Sequence, residues 1–243
     1  MRPSIVLSTP CYGGMNVMQY TMGLVTATQA LSAAGCSWDI RLIGNESLIT
    51  RARCRMVHDF LKLGHTHLMF LDADVGYEGP EIAKMLGKQI RHRFDVLAGL
   101  YPKKSLFWPG IISAATAGAT PDVVESAGAR FPFNIVGREY ASIEGCVEVL
   151  DAPTGFMLIP RETIERVIEA NPDDWYLSDA DSDRDEPTYD VFDTIKDDNR
   201  RKLSEDYAFC RKVQKLGMKV WVDTTVELAH VGTYKFRGRV SDL

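Results

Sequence analysis

Four short apolar runs, Ser4–Ser8, Trp38–Ile43, His67–Leu71 and Asp95–Leu100, are separated by three stretches of helical spacing at 17–34, 47–63 and 80–92. This alternation constrains the fold more than any other feature of the chain. A strand joined to the next by a helix needs a crossover, so the strands pair in parallel and the helices cover the sheet. Gly35 and Gly64 stop the first two helices, and Pro80 opens the third. The run His-Leu-Met-Phe-Leu at 67–71 is apolar enough to be buried on both faces. The expectation is an α/β fold: a mostly parallel central sheet flanked by helices.

Beyond residue 105 the pattern loosens. Residues 106–150 are rich in Gly, Ala and short β runs and read without a strong helix. Val147–Leu150 and Phe156–Ile159 read as strands, 161–170 and 204–216 as helices, and Lys219–Val222 as the last clear strand. Residues 173–198 carry eleven Asp or Glu against two Lys or Arg. Such a loop, 173–202, is expected to be mobile and to close as a lid on Trp175, Tyr176, Tyr189 and Phe192. No repeat or Pro/Ser linker divides the chain. One domain over 1–243 is expected, with a regular first half at 1–105 and an irregular second half at 106–243.

Several function classes are disfavoured. A net charge of −5 gives no general basic surface for gripping nucleic acid. No apolar run approaches the ~18 residues of a membrane span, so no integral membrane association is expected. The first residues read as a strand rather than a signal peptide. Five cysteines, an odd number with no C-x-x-C pair, suit a reduced interior. A cytoplasmic location follows as an expectation. The phosphate loop G-x-x-x-x-G-K-[ST], the dinucleotide G-x-G-x-x-G, the nucleophile elbow G-x-S-x-G and the zinc motif H-E-x-x-H are all missing.

The chemistry concentrates at a few points. Asp72-Ala73-Asp74 directly follows the third strand. In open α/β sheets ligands bind at the carboxyl ends of strands. Two carboxylates there suit Mg²⁺ or Mn²⁺, hard ions commonly shared with substrate phosphates; the alternative is that they only cap the loop. Three further D-x-D copies, at 179–181, 181–183 and 183–185, read as solvated charge. A neutral imidazole at His230, beside Gly232, is able to complete an Mn²⁺ site. Ser204-Glu205-Asp206 opens a helix, where acids either cap the first turn or supply a base.

Together these residues resemble the nucleotide-sugar glycosyltransferases of the GT-A fold. Ser8-Thr9-Pro10, the D-x-D after a buried strand, Ser204-Glu205-Asp206 and His230 keep the family's order across nearly the whole chain. Ile49-Thr50-Arg51-Ala52-Arg53 and Ala98-Gly99-Leu100-Tyr101-Pro102-Lys103-Lys104 look like its bacterial and viral members. The resemblance implies a nucleoside-diphosphate sugar as donor, held by Thr9, Pro10, Cys11 and Tyr12 around base and ribose, with Arg51 and Arg53 nearby. It implies Asp72 and Ala73 against the ribose or the metal's waters, and Asp74 and His230, with Asp72, as ligands of Mn²⁺ or Mg²⁺. Gly155 would let the sugar approach, and Asp206, with Glu205 beside it, matches the catalytic base of inverting members. The acceptor is open: a glycan, a protein or a modified nucleic acid base. Two alternatives stand beside this reading. A nucleotidyltransferase making nucleotide sugars would need a basic Gly-rich first loop, where this chain has Ser-Thr-Pro-Cys-Tyr-Gly-Gly-Met-Asn. A non-catalytic binding module would not need all of Asp72, Asp74, Asp206 and His230.

Overall fold

The computed structural model describes residues 2–137, 142–178, 186–234 and 239. In chain order the elements begin with β1 (Ser4–Cys11), a 3-10 turn (Tyr12–Gly14), α1 (Met18–Ala33), β2 (Ser37–Gly44), α2 (Ile49–Leu63), β3 (His67–Leu71) and β4 (Val75–Tyr77). Next come α3 (Pro80–His92), β5 (Val96–Gly99), α4 (Trp108–Thr116), α5 (Pro121–Ala127), β6 (Asn134–Ile135), β7 (Ser142–Ile143), β8 (Cys146–Asp151) and β9 (Phe156–Pro160). The remainder is α6 (Arg161–Glu169), β10 (Trp175–Tyr176), β11 (Thr188–Tyr189), β12 (Ile195–Lys196), β13 (Lys202–Leu203), α7 (Glu205–Lys215), β14 (Val220–Asp223) and β15 (Leu228–His230).

The fold is α/β, but its sheet is mixed rather than mostly parallel. The order is β2-β1-β3-β9-β5-β14-β8-β6, with β7 also on β8. β1 pairs in parallel with β2 and β3, and β14 with β5, while β9 runs against both β3 and β5 and β8 runs against β14. The two halves of the chain therefore interleave in one sheet.

Period-two alternation sorts the strand residues onto two cores. Val6, Leu68, Phe70, Met157 and Ile159 face the core shared with α2, α6 and α7. Ile5, Leu7, Met69, Leu71, Phe156 and Leu158 face the core shared with α1 and α3. Every residue of β3 is buried, as its unbroken apolar run requires. Even His67 is satisfied, its Nε2 lying 2.7 Å from Gln89 Oε1.

Three expectations change. Residues 106–150 hold two helices, α4 and α5. Neither buries a residue, so neither carries the amphipathic stripe by which a helix is recognised. They pack on each other instead, and so closely that a Cβ on Gly110 would lie 2.2 Å from Ala127 O. The 173–202 segment is also anchored where it is described. Phe192 is fully buried, 5.2 Å from the Phe70 ring and 4.5 Å from Phe209, so it belongs to the core rather than to a lid. The three acidic D-x-D copies lie outside the described residues. Finally, Lys219–Val222 is not the last strand. β15 follows and pairs His230 with Val75 of β4.

The approach of α1 to α3 hinges on Gly79, where a Cβ would meet Ala27 N at 2.1 Å and Thr26 C at 2.3 Å. These are backbone atoms, which cannot rotate aside. Gly79→Ala is expected to cost about 3 kcal/mol, as overpacking does, and to lower the urea midpoint at unchanged slope. A wild-type midpoint would refute the contact.

Candidate functional site

The carboxyl ends of β1 and β3 open onto a cleft of about 650 Å³ lined by Pro10, Tyr12, Asn16, Arg53, Asp72, Asp74 and Glu205 among others. Because β9 runs against β3, its entry turn lies at the same edge, and Asp72 N–H donates to Gly155 O at 2.8 Å. A Cβ on Gly155 would lie 2.4 Å from both Asp72 Oδ2 and Tyr101 Oη. Only glycine fits there.

Arg53 organises the deep wall. It is 3% exposed, lies over the Phe70 ring, and bonds Asp72 Oδ1 at 3.0 Å and Glu205 Oε1 at 3.4 Å. Burial pushes its pKa down, but Asp72 and Glu205 more than offset this and hold the guanidinium charged. Its Nη1 has no partner among the described residues and remains a spare donor beside the cleft. Arg51, two residues away, points elsewhere, since i and i+2 do not share a helix face. It forms a fork with Glu46, at 2.7 and 2.8 Å, and does not line the cleft.

Asp74 sits at the cleft's rim. Lys104 Nζ pairs with its Oδ2, while His230 Nε2 faces its Oδ1 at 3.5 Å. His230 Nδ1 lies 2.8 Å from Pro102 O, a carbonyl that only accepts, so Nδ1 carries a proton and Nε2 is the nitrogen turned toward Asp74. A ring nitrogen and a carboxylate oxygen, both able to ligate a metal, face each other at a distance longer than an ordinary hydrogen bond. That arrangement fits two ligands of one cation, with the imidazole oriented from behind by a carbonyl. Asp72 does not join them: Arg53 holds it, and no group of three metal-ligating side chains converges among the described residues. Of the three anticipated ligands, Asp74 and His230 fit a divalent ion and Asp72 does not.

At the start of α7, Ser204 Oγ and Tyr207 N–H both donate to Asp206 Oδ1, the latter at 2.8 Å. Burial, followed by the charge of Glu205, raises the Asp206 carboxyl above the ordinary aspartate range, although both hydrogen bonds and Arg53 pull the other way. A helix start lowers basicity, but here desolvation wins. Burial and then Asp72 push the Tyr101 phenol far up, so it stays neutral and accepts Gly155 N–H at 3.2 Å.

The first loop contributes differently from expectation. β1 runs on to Cys11, which turns Thr9 and Cys11 into the interior. Thr9 Oγ1 is 2.6 Å from Tyr20 Oη, within the core. Pro10 and the 76%-exposed ring of Tyr12 face the cleft. Ala73 also lines it while its carbonyl accepts Val17 N–H at 2.9 Å. Tyr101 and Lys104 are the site members the residue pattern understated. Their signal was position, directly after the end of β5. No protein-family model matches this sequence, and no curated protein matches it either. Among the described residues no helix is long and apolar enough to cross a membrane.

Removing the guanidinium should expose how much the deep wall depends on it. Arg53→Met leaves Asp72 and Glu205 without their shared cation, and breaking such a pair from one side costs about 3 kcal/mol. Urea denaturation at neutral pH should register that loss. Unchanged stability would mean that solvent screens the two carboxylates adequately.

Proposed function

We propose that this chain is a metal-dependent glycosyltransferase of GT-A type. It moves a sugar from a nucleoside-diphosphate sugar to an acceptor hydroxyl on a glycan, a protein or a modified nucleic acid base. The observation that carries the reading is the facing of Asp74 and His230 at 3.5 Å, on the rim of a cleft at the carboxyl end of β3. Asp74 and His230 would hold Mn²⁺ or Mg²⁺, which supplies Lewis-acid neutralisation of the leaving diphosphate.

The chain's own residues account for the remaining tasks. Tyr12 offers an exposed aromatic face to the base. Asp72, fixed by Arg53, offers its other oxygen to the ribose. Gly155, where the sugar was expected to approach, instead lets Asp72 and Tyr101 close against the backbone. As the acceptor oxygen bonds to the anomeric carbon, the bond from that carbon to the diphosphate breaks and the acceptor's proton passes to Asp206. Glu205 is committed to Arg53, which leaves Asp206 as the base of the two.

Three measurements test this. Transfer from UDP-, GDP-, CDP- or dTDP-sugars should stop in excess EDTA and return with Mn²⁺ at least as well as with Mg²⁺, because a nitrogen ligand favours Mn²⁺. Full turnover in EDTA would refute the metal. The base must be ionised, and the Asp206 pKa is raised. Activity should therefore fall with acidification through a pH above that of an ordinary aspartate. Asp206→Asn should remove that limb and cut turnover by ~10²-fold or more while sparing donor affinity. NMR of the product should show an inverted anomeric centre; retention would remove Asp206 as base.

A further inference from the structure

We propose that Lys104 is a resident cation of this site: it neutralises Asp74 while the cleft is empty, yields that carboxylate to a divalent ion, and then turns its ammonium to the donor's diphosphate. The last step rests on the transferase reading above; the exchange at Asp74 does not.

The two oxygens of Asp74 face different neighbours. Oδ2 takes the Lys104 ammonium, and Oδ1 faces the His230 nitrogen at 3.5 Å. A divalent ion held between Asp74 and His230 would set like charge beside the ammonium. The lysine and aspartate side chains are 39% and 40% exposed, so their pairing is weak enough to break. An exposed pair shifts an equilibrium by about fivefold at most.

The surroundings hold the backbone and free the side chain. Tyr101 packs edge-on against the His230 ring at 4.9 Å between centroids. Pro102 O accepts His230 Nδ1–H, and Lys103 N–H donates to Arg130 O at 2.7 Å. The 101–104 segment is therefore pinned on both sides. The Lys104 stem passes over Gly232, where a Cβ would lie 2.7 Å from Lys104 Cδ and 3.3 Å from Cε. The missing side chain at 232 leaves the channel through which the stem moves. An ammonium on a flexible stem is suited to swapping partners and binds phosphate as a point charge. Arg53, buried and doubly paired, cannot take this part.

The experiment titrates Mn²⁺ into the full chain, followed by electron paramagnetic resonance, first alone and then with UDP, GDP, CDP or dTDP. Lys104→Met should bind Mn²⁺ alone about fivefold more tightly, by loss of the competing pair. The same variant should bind the Mn²⁺–nucleoside diphosphate up to about fivefold more weakly. Lys104→Arg, which keeps the charge, should stay near wild type in both. Gly232→Ala, which crowds the stem without removing the charge, should also tighten Mn²⁺ alone. The opposite signs are the point, since a merely structural lysine would move both affinities together or neither. Unchanged or weaker Mn²⁺ binding by Lys104→Met, or no Mn²⁺ binding by any form, overturns the exchange. No loss with any of the four diphosphates overturns the second step. Opposite shifts without sugar transfer would retain Lys104 as a resident cation and remove the transferase reading; transfer with unshifted Mn²⁺ binding would do the reverse.

Discussion

The antiparallel passage of β9 between β3 and β5 is the constraint on which the site depends. A parallel strand in that position would deliver its carboxyl end to the cleft, and its entry turn would lie at the far edge of the sheet. Reversed, it brings Gly155 to the end of β3, where its carbonyl takes the Asp72 N–H. The strand is held there by both cores at once, since Met157 and Ile159 enter one and Phe156 and Leu158 the other. A one-residue slip would exchange the two sets and lift Gly155 away from Asp72.

Charge is arranged in layers around that edge. The deep layer is Arg53 with Asp72 and Glu205, which joins α2, the end of β3 and the start of α7. The shallow layer is Asp74 with Lys104 and His230. The deep layer is desolvated, where an unpaired carboxylate is costly, and so it is fixed. The shallow layer is half in solvent, where partners exchange cheaply. Both acids of the D-x-D come from one strand end, yet they lie at different depths: Asp72 is held by Arg53, and Asp74 faces Lys104 and His230 at the rim.

Much of the fold was readable because burial imposes periodicity. The strands at 4–8, 38–43 and 67–71 and the helices between them match the structure within a few residues at each end. Strand direction was not readable, since the alternation of Phe156–Ile159 is the same whichever way the strand runs. α4 and α5 escaped because a helix that buries nothing carries no stripe. At the candidate site, the D-x-D, Gly155, Glu205, Asp206 and His230 were singled out from strand ends and a helix start, and these positions do lie at strand ends or a helix start in the structure. Thr9 and Cys11 were misplaced because β1 continues through Pro10, which pairs with Ile43. Arg51 and Arg53 could have been separated from helical spacing alone, because residues two apart on a helix diverge.

The α4–α5 hairpin has a consequence of another kind. It meets the rest of the chain at its base, where Lys103 and Phe107 donate to the carbonyls of Arg130 and Gly128. Trp108, Ile112 and Val123 stand in solvent, each more than half exposed. Surface substitutions that touch nothing buried change stability by only about 0.5 kcal/mol either way. Substitutions at those exposed positions of the hairpin therefore leave the sheet folded. A lineage of such proteins would be free to diversify this face quickly while the strand ends beneath it stayed the same.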